Sequence, residues 1–312
     1  MPQVATAPPT GGWTTRAVQA LERAGVCAER GDTDIPIMVT TAEDLRALSR
    51  SDLRSALDRV VVGLHADAGL ESLLVSGVLD VLFPEVTAMV GFGDGEWRHK
   101  DVWRHTKQVV AQSVSRLEVR WAALFHDIGK VQTRSVAPNG DVHFFGHAEV
   151  GARMFDKLNR RTGLFGSDGA LRSSVRFLVL HHLRASQYDG RWTDSAVRRF
   201  ARDTGARLDD LLCLSRADIT TKRPEKRRRG ISMIDELGQR ITELAAADAK
   251  LPPLPKNVGN ALMEAFGLPP SRRIGDLKRA LEAAVDAGEI EARQEPDYYV
   301  DFLAAHRDRF VL

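Results

Sequence analysis

Seven of the nine histidines in this chain lie between His99 and His182, and several of them close apolar stripes with helical spacing. His126 and Asp127 end the run Ala122-Ala123-Leu124-Phe125, and His181 and His182 end Phe177-Leu178-Val179-Leu180. His105 follows Val102-Trp103-Arg104, and Asp218 follows Leu214-Ser215-Arg216-Ala217. An apolar helix that ends in His and Asp makes a poor surface element. Aspartate is a weak helix former, and burying it unpaired is costly. A bound cation would supply the missing partner. Apolar stripes must face one another, so their polar ends converge on an interior point, as in metal-carrying helical bundles.

The rest of the pattern agrees with an all-α chain. Helices are expected at Thr15–Arg30, from Ala42 with Thr41 as cap, at Ser51–His65, and at Leu70–Leu82 with Pro84 as the stop. Further helices are expected at Val102–Ser113, Leu117–Phe125, His147–Leu158, Leu171–His182, Asp194–Thr204, Leu208–Arg216 and Ser232–Ala247. Pro138-Asn139-Gly140-Asp141 is a turn signal inside a small hairpin over Val136–Phe144. Three prolines in Leu251–Lys256 mark a boundary. Beyond it, Ala261–Phe266, Ile274–Ala287 and Tyr298–Arg309 read as a small helical appendage. The expected organisation is an N-terminal extension over 1–40, partly disordered, a helical domain over 41–250 and a helical C-terminal region over 251–312.

Composition narrows the class. The formal net charge is +2, so any surface for a polyanion must be local. The two cysteines, Cys27 and Cys213, form no CxxC pair and suit a reducing cytosol. The first twelve residues lack the apolar core of a secretory signal, and no apolar run approaches the ~20 residues of a membrane span. A cytoplasmic protein without membrane contact is expected. Nitrogen and oxygen ligands without thiolate suit Mn, Ni, Co, Fe or Mg more than a structural zinc.

His105, then His126-Asp127, then Asp218 resembles the H…HD…D signature of the HD phosphohydrolase superfamily. The resemblance implies an HD-domain helical bundle and makes these four residues metal ligands. It also implies that His147, in Gly146-His147, and His181 or His182 serve a second metal or contact phosphate. Asp127 would then bridge two ions and act in catalysis, and Lys130 would contact substrate phosphate. More narrowly, Val102–Thr106, Leu124–Arg134 and Arg216–Asp218 look like the HD region of bacterial CCA-adding tRNA nucleotidyltransferases and poly(A) polymerases. That similarity extends over roughly residues 45–290, through Leu82-Phe83-Pro84-Glu85, Lys222–Arg229 and Lys256–Met263. The catalytic head of that family should precede this region. The forty residues before it are too few for that domain, and Asp32-Thr33-Asp34 has no flanking phosphate turn. Hydrolysis rather than nucleotide addition is therefore expected.

The resemblance implies nucleotide-type phosphoesters as substrates, either 2′,3′-cyclic phosphates or phosphomonoesters, including those at RNA ends. The run Lys222–Arg229 carries six basic residues and one acid. Lys222, Arg223, Lys226 and Arg227, with Arg134 and Arg184, are candidates for phosphate or RNA contact. Two alternatives stand beside this reading. One is a non-catalytic RNA- or tRNA-binding module, the other an HD hydrolase of free nucleotides or cyclic dinucleotides. Oligomeric state and metal identity are left open by these residues.

Overall fold

The computed structural model describes residues 16–92, 101–166, 168–249 and 252–310. The first twelve residues, part of the N-terminal extension expected to be partly disordered, and His99 lie outside them. Among the described residues, all regular structure is helical except one two-stranded hairpin. The chain divides into two compact units, Met1–Thr242 and Glu243–Leu312.

The first unit opens with α1 (Arg16–Arg30), α2 (Ala42–Arg46), α3 (Arg50–Val62) and α4 (Ala66–Val75). α1 carries fully buried alanines at 17, 20, 24 and 28, and this small-residue face lies on α4. The approach is close: a Cβ on Gly69 of α4 would stand 2.6 Å from the Ala28 Cβ. Residues 16–30 are thus packed into the same unit as the helices that follow. Thr41 caps α2 through a reciprocal pair, its hydroxyl accepting from Asp44 N–H (3.2 Å) and Asp44 accepting from Thr41 N–H (2.9 Å).

The helix expected over Leu70–Leu82 is broken. α4 ends at Val75, and α5 (Val78–Leu82) begins after Gly77, whose φ of +78° suits glycine. The Thr40 N–H and hydroxyl both donate to the freed Ser76 carbonyl at 2.9 Å. Pro84 does not simply stop a helix; it is the first residue of α6 (Pro84–Thr87), where its missing N–H costs nothing.

Next come α7 (Val102–Gln112), α8 (Leu117–Phe125) and α9 (Lys130–Thr133). The hairpin pairs β1 (Ser135–Val136) with β2 (Val142–His143) across the expected turn. α10 (His147–Thr162), α11 (Gly169–His181), α12 (Asp194–Thr204), α13 (Leu208–Ala217) and α14 (Pro224–Ala249) follow. α14 starts eight residues before the expected Ser232, so the basic run forms its first turns.

α8 is the centre of this unit. Every residue from Val119 to Phe125 is buried, and α3, α7, α11 and α13 pack around it. A helix apolar on all sides is stable only with neighbours on all sides. Trp121 and Phe125 stack at 5.7 Å, and Phe83, Phe155 and Phe165 lie at 5.1–6.0 Å from one or other of them. Such pairs contribute about 0.5–1.5 kcal/mol each beyond buried area. The Trp121 Nε1–H donates to Asp58 at 2.6 Å. The next residues after this helix, His126 and Asp127, are thereby delivered to the interior.

The second unit contains α15 (Val258–Phe266), α16 (Arg272–Asp286), α17 (Pro296–Ala305) and α18 (Arg307–Phe310). Its core joins Val258, Leu262, Leu277, Leu281, Tyr299 and Leu303. The Tyr299 hydroxyl accepts from Gln294 N–H (3.0 Å) and lies within 3.2 Å of the Pro253 and Glu291 carbonyls. No described helix is long and apolar enough to cross a membrane.

Candidate metal centre

The polar side chains around Asp127 come from helix ends. His105 lies in the first turn of α7, and His126 and Asp127 follow the last turn of α8. His147 opens α10, His182 follows α11, and Asp218 follows α13. Helix termini leave backbone groups without intrahelical partners, so a polar side chain there satisfies them. His126 Nδ1 meets the Ala123 carbonyl, His147 Nδ1 meets Phe144, and His182 Nδ1 meets Val179, each at 2.8 Å and each three residues back. His105 Nδ1 meets the Thr220 hydroxyl at 2.9 Å.

The carbonyl contacts place the proton on Nδ1 and leave Nε2 facing the site. Asp127 sits between two groups. Its Oδ2 lies 3.2 Å from His126 Nε2 and 3.5 Å from His105 Nε2; its Oδ1 lies 3.5 Å from His147 Nε2 and 4.0 Å from His182 Nε2. Asp218 Oδ1 completes the first group, 3.0 Å from His105 Nε2 and 3.5 Å from His126 Nε2. Among the described residues, His105-His126-Asp127 and Asp127-His147-His182 are the two sets whose donor atoms could hold a metal ion.

The donor chemistry fits a cation. Two Nε2 atoms stand 3.2 Å apart in each set, His105 with His126 and His147 with His182. Neutral His147 and His182, whose protons sit on Nδ1, would face lone pair to lone pair at that distance, and so would His105 and His126 wherever the Thr220 hydroxyl accepts from His105 Nδ1. Something positive is needed between them, a proton or a metal. Burial opposes charge on His126, yet the Asp127 and Asp218 carboxylates overcome it and push its pKa up to about 10. Burial likewise works against the charged Asp127, but the His126 ring beside it, with Lys130 and His105, holds its carboxyl well below the usual range. Asp218 is also held low, against burial, by hydrogen bonds from His105 and His126. His182 is lowered to about 4 by burial and then by the neighbouring His126, so it offers a neutral ring nitrogen. His147 is lowered chiefly by burial.

Not every expected residue joins. His181 belongs to neither set; its ring lies 4.4 Å from that of Phe177. Adjacent helical residues point about 100° apart, so His181 and His182 cannot face one point together. Lys130 does join, its Nζ 2.6 Å from Asp127 Oδ2 and 5.7 Å from the Phe144 ring centre. Arg134 is exposed at the end of α9. Arg184 is occupied elsewhere, pairing with Asp203 at 3.1 Å over the Phe200 ring. Lys222, Arg223, Lys226 and Arg227 are exposed where α14 begins, shortly after Asp218.

Two contributors carry no signal in the sequence. Thr220 orients His105 but looks like any loop threonine. Gly129 looks like an ordinary turn residue, yet a Cβ there would lie 2.1 Å from the His147 carbonyl oxygen. Only glycine lets the turn after Asp127 touch the start of α10.

Comparison with known proteins agrees with this geometry. Residues 100–222 match the HD domain family. The chain is 30% identical over 289 residues to the A-adding tRNA nucleotidyltransferase of Deinococcus radiodurans, covering 90% of this chain and 62% of that protein. It is 31% identical over 255 residues to the CC-adding tRNA nucleotidyltransferase of Thermus thermophilus, covering 79% and 55%. A shorter match, 30% over 115 residues, is to the Multifunctional CCA protein of Pasteurella multocida, covering 33% and 26%. The chain thus spans little more than half the length of the first two relatives. His105, His126, Asp127, His147, His182 and Asp218 all lie inside the segment that matches the HD domain family, and that segment sits within a longer stretch similar to bacterial tRNA nucleotidyltransferases.

Proposed function

We propose that this chain is a metal-dependent phosphohydrolase acting on nucleotide-type phosphoesters, 2′,3′-cyclic phosphates or phosphomonoesters, including those at RNA ends. The observation that carries the reading is Asp127, whose two carboxylate oxygens face two separate pairs of histidine Nε2 atoms. His105, His126, Asp127 and Asp218 would hold one divalent ion, of Mn, Ni, Co, Fe or Mg. Asp127, His147 and His182 would hold a second. Such ions make a water molecule acidic enough to attack near neutral pH and draw charge from phosphoryl oxygens.

The chain's own residues supply the rest. The carbonyls of Ala123, Phe144 and Val179 fix the ring orientations, so the donor atoms need no rearrangement. Lys130 holds an ammonium beside Asp127, where it can neutralise a substrate phosphate oxygen. Burial of His126 and Asp127 keeps water from screening these charges. Lys222, Arg223, Lys226 and Arg227 would meet the backbone of an RNA substrate. That exposed run also favours a second reading, an RNA-binding module in which the centre is structural.

The test is hydrolysis of p-nitrophenyl phosphate, bis-p-nitrophenyl phosphate, 2′,3′-cyclic AMP and nucleoside phosphates with each metal, alongside metal content. Metal-dependent turnover that disappears in Asp127→Ala establishes the hydrolase. Bound metal without turnover on any substrate leaves the RNA-binding module.

A further inference from the structure

Two cavities flank the C-terminal turn of α10, at the end opposite His147. One, of about 440 Å³, is lined by Asp156, Asn159 and Arg160 of α10 and by Arg172, Ser173 and Arg176 of α11. The other, of about 290 Å³, is lined by Arg50, Ser51, Arg54, Ser55 and Asp58 of α3 with Gly163 and Leu164. The near edge of the first cavity, at Asp156 on α10 and Arg176 on α11, stands nine residues from His147 and six from His182, about 14 Å and 9 Å along the helices at ~1.5 Å rise per residue.

The charges in these cavities do not balance. Asp156 is taken by Arg176 at 2.8 Å. Asp58 is taken by Arg54 at 2.7 Å and by Trp121 at 2.6 Å. Arg50, Arg160 and Arg172 are therefore left without a carboxylate partner among the described residues, and all three are exposed. Beside the first cavity, Arg207 donates to the Ser173 hydroxyl at 2.8 Å and its guanidinium stands 5.1 Å from the Phe177 ring centre. Its Nε is buried and has no hydrogen-bond partner.

Ordinary helix electrostatics accounts for only part of this. Arg160 sits in the last turn of α10, where a cation suits the dipole. Arg50 is the first residue of α3, and Arg172 lies in the opening turn of α11, where a cation is disfavoured. Asp52 and Asp168 lie in the same helix starts, yet neither makes an ion pair with Arg50 or Arg172, so these guanidinium groups are held by water and free to take an anion from outside.

The lining identifies the anion. Neither cavity has an aromatic side chain in its wall, so nothing there stacks on or reads a base. Guanidinium groups match phosphate oxygens in a two-pronged geometry, and serine hydroxyls and the Asn159 amide add donors. We infer that the two cavities form a base-indifferent docking site for consecutive backbone phosphates of RNA, separate from the metal centre. A long polyanion rather than a small one is favoured because the unpartnered arginines are divided between two cavities that share one helix end. The inference stands or falls independently of hydrolysis at the HD centre.

The test is RNA binding by the full chain across a salt series, for wild type and for the Arg160→Gln/Arg172→Gln and Arg50→Gln variants. These side chains are exposed and unpaired, so an unchanged thermal unfolding midpoint serves as the folding control. The double variant is expected to bind RNA about tenfold more weakly for any base sequence, with the slope of log K against log salt reduced by roughly 0.7–0.9 per phosphate lost. Metal content stays at the wild-type level. Unchanged RNA affinity and salt slope in the double variant would overturn the site. Pyrophosphate bound by wild type and lost in the variants, with RNA binding unaffected, would overturn it in favour of a small-anion pocket.

Discussion

α10 and α11 carry opposite kinds of polar chemistry at their two ends. At one end, His147 and His182 are buried, each ring has its Nδ1 held by a carbonyl, and the positive and negative groups answer one another within a few ångströms. At the other end, Arg160 and Arg172 are exposed, unpaired and surplus. Buried polar groups must be satisfied from within, so the first end is built to a fixed geometry. Exposed charge is satisfied by water until a partner arrives, so the second end can remain unbalanced. The lesson is that geometry marks the site that would perform chemistry, and surplus charge marks the site that would only hold.

The comparison can be broken most forcefully at Asp127. In Asp127→Ala, both clusters lose a shared donor, and bound metal measured by elemental analysis is expected to fall by more than the about 10–100-fold that follows loss of an outer hydrogen-bond partner. RNA binding at the arginine end should survive. Gly129→Ala comes next. The added Cβ cannot fit 2.1 Å from the His147 carbonyl oxygen, so the α10 start must move, at a cost of about 1–3 kcal/mol in denaturant unfolding. Thr220→Val keeps the volume but removes the hydroxyl on His105 Nδ1, and metal affinity by competition titration should weaken by roughly 10–100-fold. His181→Gln is the smallest step. Metal content should stay at the wild-type level, whereas His182→Gln should lower it, and equal losses in both would show that the two histidines are not divided as the structure has them.

Much of the fold is readable residue by residue. The Thr41 cap, the all-apolar α8 and the turn at Pro138–Asp141 each follow from local chemistry. Where the reading fails, the cause is tertiary. The Leu70–Leu82 stripe is periodic enough for one helix, but the Ser76 carbonyl is taken by Thr40, and glycine at position 77 lets the chain turn. The α14 start was hidden because a basic run carries no apolar periodicity. In the site, the histidines and aspartates are visible as helix-end residues. Their helpers Thr220 and Gly129 are not, since each acts on a side chain or backbone group that is distant in sequence.

Sequence alone determined that this chain is helical, that its apolar stripes end in histidine and aspartate, and that its charge surplus is small overall. Periodicity and capping act over a few residues, and so they survive without any knowledge of packing. Only the tertiary structure decided that His182 rather than His181 turns inward, and that Asp127 divides its two oxygens between two histidine pairs. It alone placed Arg50 and Arg160, on helices far apart in the chain, at the same end of α10. These are matters of where separate helices meet. Burial of α8 on all sides settles that meeting, and no local stretch of residues contains it.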